Sequence, residues 1–146
     1  MKCTVIIDQD REEEIVAYLH ERRGIAEKLT ALAESESVEL IGYSDSGSIV
    51  RLSPCEIFAV YVEDSKVYAV TEREKLQLRQ RLYVLEEQLG AGFVKINQSC
   101  LVNTETVDRF DASIGGALLV ILKNGYKDYV SRRQLKAVKE RMGFKL

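Results

Sequence analysis

Short apolar runs separated by polar breaks fill this chain, and most of the runs repeat every second residue. Residues 2–8 form a β-branched run through Val5, Ile6 and Ile7 that the polar cluster of residues 8–13 closes, which predicts a strand. Residues 14–20 alternate through Ile15, Ala17 and Leu19. That favours a second strand over the helix that the Asp10 to Glu13 capping-box spacing would open. From Ile25 the period changes: Ile25, Leu29, Leu32 and Ala33 fall at i, i+4, i+7 and i+8, one apolar stripe of a helix ending near Ser35. Runs at 38–43 and 48–52 then flank Ser44, Asp45, Ser46 and Gly47, a hairpin with glycine where a positive φ is wanted.

Pro54, the one proline of the chain, marks a module boundary, and strands dominate after it. Residues 56–62 and 66–71, parted by Glu63, Asp64 and Ser65, predict a second hairpin. Leu76 and Leu78 alternate with Gln77 and Arg79, and the period then turns helical through Leu82, Leu85 and Leu89 until Gly90 stops it. Further strands are expected at 93–96, 104–110, 117–122 and 126–130. Their connections are the compact turn Asn97, Gln98, Ser99, the Gly115-Gly116 pair, and Asn124-Gly125, which has the signature of a type I′ hairpin. A last helix from about Arg132 to Met142 buries Leu135, Val138 and Met142 before Gly143. The fold class expected is predominantly β with short helices (α+β): a small strand-and-helix annex over residues 1–53, then a domain of short antiparallel sheets over 54–146.

With 146 residues, 46% of them hydrophobic and 30% charged, the chain has the size and composition of one globular domain carrying an annex. No run approaches the roughly 18 apolar residues of a membrane span, and no signal-peptide core precedes the first strand-like run. A cytoplasmic location is expected. Cys3, Cys55 and Cys100 are odd in number, far apart and without a CxxC pair, a usage that fits buried thiols in a reducing compartment. The net charge of −2 conceals a gradient. Residues 1–53 hold six basic and eleven acidic side chains, net −5; residues 54–122 hold seven and ten, net −3; residues 123–146 hold eight and two, net +6. A basic end of this kind is a hint of a polyanion partner.

Catalytic chemistry has little to build on. His20 is the single histidine, so no HExxH motif exists, and no glycine-rich phosphate loop follows a strand. Glu12, Glu13, Glu14 and Glu86, Glu87 lie in runs that read as solvated faces. No enzyme, cofactor or metal is implied.

Three stretches, in order, carry a family resemblance: residues 56–68 (EIFAVYVEDSKVY); residues 82–89 (LYVLEEQL) with 93–103 (FVKINQSCLVN); and Asn124-Gly125 with Val130, Ser131, Arg132 and Arg133. Together they span residues 56–133, and the chain from residue 54 onward, about 90 residues, resembles the LytTR family, the DNA-binding domain at the C-terminal end of many bacterial response regulators. The resemblance implies short antiparallel sheets that lie along one side of a duplex and push loops, not a recognition helix, into successive major grooves. Gln98 would meet an adenine edge, Asn97 or Ser99 a phosphate, and Arg132 and Arg133 guanine or phosphate, with Arg133 the base reader. Lys66 and Lys95 would contact phosphates. Asn103 reads instead as a backbone-bonding turn residue. The neutral pair Asn97-Gln98 replaces the His and Arg or Lys frequent in the family, which implies weaker phosphate anchoring at that loop. Residues 1–53 are too few for a receiver domain. The chain is therefore similar to stand-alone LytTR regulators, expected to bind repeated sites in promoter DNA as a homodimer, with the acidic annex facing away from the DNA and available for self-association. The competing reading is a β module that keeps the fold but binds a protein.

Overall fold

Strand-forming alternation sets most of the architecture, and a computed structural model describes it for residues 1–21, 24–36 and 38–146. Helix α1 (Gly24–Glu36) precedes strands β1 (Leu40–Tyr43), β2 (Ile49–Leu52), β3 (Ala59–Glu63), β4 (Lys66–Val70) and β5 (Lys75–Leu78). Helix α2 (Leu82–Leu89) leads to β6 (Phe93–Asn97), β7 (Cys100–Asn103), β8 (Val107–Ile114), β9 (Ala117–Leu122), β10 (Lys127–Val130) and helix α3 (Arg132–Met142). Seven strands form one antiparallel sheet in the order β2-β1-β5-β4-β3-β7-β6, and three form a second in the order β10-β9-β8.

Because side chains alternate across a strand, the large sheet feeds two cores. On one face Val60, Val67, Ala69, Leu76, Leu78 and Leu101 pack with Leu82, Leu85 and Leu89 of α2. On the other, Ala59, Ile96, Cys100 and Val102 pack with Leu118, Val120 and Leu122 of β9 and Val138 of α3. The large sheet is thus the middle of three layers, between α2 and the small sheet with α3. Tyr61 stacks on both Tyr68 and Tyr126 at 5.6 Å between centroids, fastening the β9–β10 hairpin over β3 and β4. At Gly42 a Cβ would fall 2.8 Å from that of Leu76. Only glycine lets β1 approach β5 so closely.

Four expectations change. The strands anticipated at 2–8 and 14–20 do not form: no helix or strand occurs in residues 1–21, and Val5, Ile6 and Ile7 are 80, 82 and 89% exposed. A strand needs a partner for its backbone groups, and among the described residues neither sheet includes this segment. Strand β7 was not anticipated, because all four of its residues are buried and a strand covered on both faces shows no alternation. The Asn124-Gly125 connection is not type I′, which requires positive φ at both central residues. Only Gly125 has it there (φ 89°), closing a loop in which the Gly125 N–H reaches the Leu122 carbonyl at 2.9 Å. The I′ signature lies instead at Asp64 (φ 50°) and Ser65 (φ 65°), the only non-glycine residues with positive φ among those described. Finally, of the three thiols only Cys100 is buried; Cys3 and Cys55 are exposed.

The β1–β2 hairpin, read from sequence as part of the annex, joins the large sheet through Tyr43 opposite Gln77.

Candidate nucleic-acid interface

Three chain connections meet at one end of the large sheet. The first is the tight β3–β4 turn, where Glu63 and Lys66 pair across Asp64 and Ser65. The second joins β6 to β7. Its register steps from Lys95 opposite Leu101 to Asn97 opposite Cys100, so Ile96 is an extra residue and the strand bulges. That step places Asn97 on the face shared with Cys100, next to β10. The third is the junction of β10 with α3 at Ser131.

Hydrogen bonds tie the three together. The Asn97 side-chain amide donates to the Tyr129 carbonyl (2.9 Å) and its oxygen accepts the Ser99 N–H (2.8 Å). The Ser131 N–H donates to the Ile96 carbonyl (2.9 Å), and the Val62 N–H to the Ser99 carbonyl (2.8 Å). Gln98 and Ser99 are left as an exposed two-residue tip beside exposed Lys66, Arg132 and Arg133.

Five of the seven candidate residues are therefore exposed and together at this end. Asn97 is half-buried and already has one intramolecular partner on each of its amide atoms. Lys95, also half-buried, sits by register on the opposite face with Leu101 and Phe93, and is not brought to the cluster. Asn103 is a backbone-bonding residue, donating to the Ile57 carbonyl (3.0 Å) and accepting the Glu105 N–H (3.1 Å).

Sequence reasoning passed over Arg79 and Arg81. The pairing of Val67 with Leu78 places Arg79 beside the β3–β4 turn, where its guanidinium lies 4.2 Å from the centroid of the Tyr43 ring. Both arginines are exposed. Nothing but their place after a strand end could have singled them out. Conversely, the basic C-terminal stretch is not one surface. Lys123 and Lys127 flank the β9–β10 turn, which the Asn124 amide holds to the Thr71 carbonyl (3.0 Å) at the far end of the sheet.

Helix α3 sharpens the electrostatics of the loop end. It opens with Arg132 and Arg133, has no acidic residue in its first turn, and its N-cap Ser131 hydroxyl makes no cap hydrogen bond. Cations at the positive end of a helix dipole are unfavourable by about 0.3–1 kcal/mol each. Free N–H groups and two guanidiniums together form a place where an anion such as a phosphate is stabilised.

Among the described residues no group of three or more His, Cys, Asp or Glu could hold a metal ion, and no helix is long and apolar enough to cross a membrane. A layered β body with charged loops clamped at one end defines the class: a β-type domain whose loop end is rich in exposed cations. Residues 47–143 match the LytTr DNA-binding domain, and the chain belongs to that family. A protein of Staphylococcus aureus (strain NCTC 8325), described as an uncharacterized HTH-type transcriptional regulator, is 34% identical over 107 residues, covering 73% of this chain and 72% of its own. A regulator of the same description from strain MRSA252 is equally similar. Strands separate every pair of α-helices among the described residues, so the helix-turn-helix of that description has no counterpart there. The solved LytTr DNA-binding domain of a Bacillus cereus protein superposes with a TM-score of 0.66 at 18% identity, covering 73% of this chain and 97% of that one. The fold is shared.

Proposed function

We propose that this protein is a cytoplasmic, non-catalytic transcription regulator that reads duplex DNA through the clamped loops and binds repeated sites as a pair. The observation that carries this reading is the clamp itself. Three connections remote in sequence are hydrogen-bonded into one end, and the side chains left outward are an amide, a hydroxyl and several cations.

In this mechanism the Gln98 amide meets the N6 and N7 edge of an adenine in the major groove, and the Arg133 guanidinium forks onto guanine O6 and N7. Ser99, Lys66 and Arg132 hold phosphates and so set the register without reading sequence. Lys95 adds a phosphate contact from the edge of the sheet. Asn97 acts by positioning, because its amide joins the tip to β10 and its oxygen shapes the turn. Arg79 extends the cationic rim along the backbone. The two Staphylococcus aureus relatives, described as HTH-type transcriptional regulators, support the regulatory reading. Residues 1–53, acidic overall, are repelled by DNA and serve self-association.

The test is selection of sites from randomised duplex DNA by the purified protein, across a salt series and with Arg133→Ala. An enriched repeated motif is expected, with log K falling against log salt by about 0.9 per phosphate neutralised. Arg133→Ala should cost about 1–3 kcal/mol and relax preference at one base. No enrichment at low salt would sink the reading.

A further inference from the structure

Residues 1–21 hold large apolar side chains that nothing in their own chain covers. Val5, Ile6 and Ile7 are 80, 82 and 89% exposed, and Ile15, Val16 and Tyr18 are 47, 59 and 96% exposed. Single apolar residues on a surface are ordinary. Six within 14 residues, gathered in two short runs, call for a cover. Between the two apolar runs, the turn at residues 8–11 is held by the Asp10 N–H on Asp8 Oδ1 (3.1 Å) and by Arg11 on Asp8 (3.6 Å).

The body carries an open groove of about 1050 Å³ lined by Ala31, Leu32, Cys55, Phe58, Phe93 and Met142. Met142 ends α3, so the groove lies about 16 Å along an 11-residue helix from the DNA-reading loops. Gly24, the first residue of α1, also borders it. Residues 1–21 therefore leave the body at the groove's rim, yet residues 1–18 run on exposed and leave it empty of their side chains.

We infer that the groove receives residues 1–21 of a second copy, exchanged reciprocally about a two-fold axis. The inference rests on the pairwise reading above and specifies its contact. Because each segment departs from the rim of its own groove, the rotation that brings two rims together sets each segment at the other's groove and closes the assembly at two. Charge points the same way. Residues 1–21 hold two basic and six acidic side chains, net −4, while residues 136–146, at the groove end of α3, hold four basic and one acidic, net +3. The apolar runs enter the partner's groove, and the acidic turn meets the basic end of the partner's α3, where Lys136, Lys139 and Lys145 gather. Gln98, Arg132 and Arg133 stay free at the other end.

Sedimentation of the full chain tests this with Ile7→Asp in the segment and Leu32→Asp in the groove, both at positions exposed in the single chain, with circular dichroism confirming that each variant folds. The wild type is expected at twice the 16.6 kDa chain mass, each variant alone at the single-chain mass, and an equimolar mixture of the two at the dimer mass again at raised concentration. Rescue arises because the Ile7→Asp copy keeps an intact groove and the Leu32→Asp copy an intact segment. A dimer that survives Leu32→Asp, or a mixture that stays monomeric, overturns the exchange while pairing by other surfaces stands. A monomeric wild type overturns exchange and pairing together. Site selection then still decides DNA reading on its own.

Discussion

Reversing the charges of Arg132 and Arg133 should move stability and DNA affinity in opposite directions. Both side chains are exposed at the first two positions of α3, whose first turn lacks an acid and whose N-cap hydroxyl is unused for capping. In Arg132→Glu/Arg133→Glu two repulsive charges leave the positive end of the dipole and two attractive ones replace them. With about 0.3–1 kcal/mol per charge at low salt, and a discount for exposure, the double variant should be about 1 kcal/mol more stable. For a chain of this length that is about 3–4 °C in Tm. Binding should change much more. Loss of a forked guanine contact alone costs about 1–3 kcal/mol, and two carboxylates facing phosphates add repulsion, so affinity should fall by at least about 100-fold, with a shallower salt slope. Thermal melts at low and high salt, paired with fluorescence anisotropy on a selected site, measure both quantities. A double variant that melts lower, or that keeps its affinity, would refute the reasoning. A gain in Tm that persists in high salt would show that the dipole is not its cause.

The remaining expectations concern the turn, the polar core, the thiols and the tip. Ser65 holds a left-handed conformation that costs an L-residue about 1 kcal/mol; Ser65→Gly should raise stability by about 0.5–1 kcal/mol in a urea titration, and a loss would show that the serine side chain supports the turn. Asn103→Leu removes the two bonds to Ile57 and Glu105 and should cost about 2–3 kcal/mol by the same titration, an unchanged midpoint counting against that role. In the native protein a thiol reagent should modify Cys3 and Cys55 but reach Cys100 only after unfolding. Burial pushes the Cys100 thiol up to about 12, so above about pH 9 the unfolded chain releases a proton that the folded chain retains. Stability should therefore fall as pH rises from about 9 to about 12, by on the order of 4 kcal/mol at the upper end. Cys100→Ala should flatten this slope, and a slope unchanged in that variant would assign it to other groups. Across a panel of single-base changes in a selected site, Gln98→Ala should relax one position, whereas Asn97→Ala should weaken every sequence alike. The reverse pattern would exchange their roles.

Local pattern carried most of the elements because their causes are local. Helix α2 ends where its leucine stripe meets Gly90, and α3 where Met142 meets Gly143, whose φ of 75° and ψ of 32° are left-handed. What local pattern could not carry were features decided by neighbours. Residues 2–8 look like a strand by their β-branched run and residues 14–20 by their alternation, but pairing is a property of the partner and not of the run. β7 escaped notice for the opposite reason: covered on both faces, it has no polar side to alternate with. Turn type was misplaced because Asn-Gly is the commoner bearer of positive φ, whereas the β3–β4 register forces it on Asp64 and Ser65.

The site was legible as residues but not as an arrangement. Gln98, Ser99, Lys66, Arg132 and Arg133 lie in three stretches of chain, and the bonds that assemble them link Asn97 to Tyr129, Ile96 to Ser131 and Val62 to Ser99. None of those pairs leaves a mark in periodicity or composition, since a backbone carbonyl is offered by every residue. The same blindness explains the charge gradient. Net charge by segment counts the basic C-terminal stretch as one end of the chain, but a helix separates its ends in space: α3 brings Arg132 and Arg133 to the loops, and carries Arg141 to the groove and Lys139 to the adjoining surface, Glu140 bordering both. On the two proposals above, one basic stretch would face two different acidic partners, phosphates at its start and the N-terminal segment of a second copy at its end. Mutations at the two ends should separate accordingly, Arg133 altering which DNA is bound and Lys139 altering whether the chain pairs.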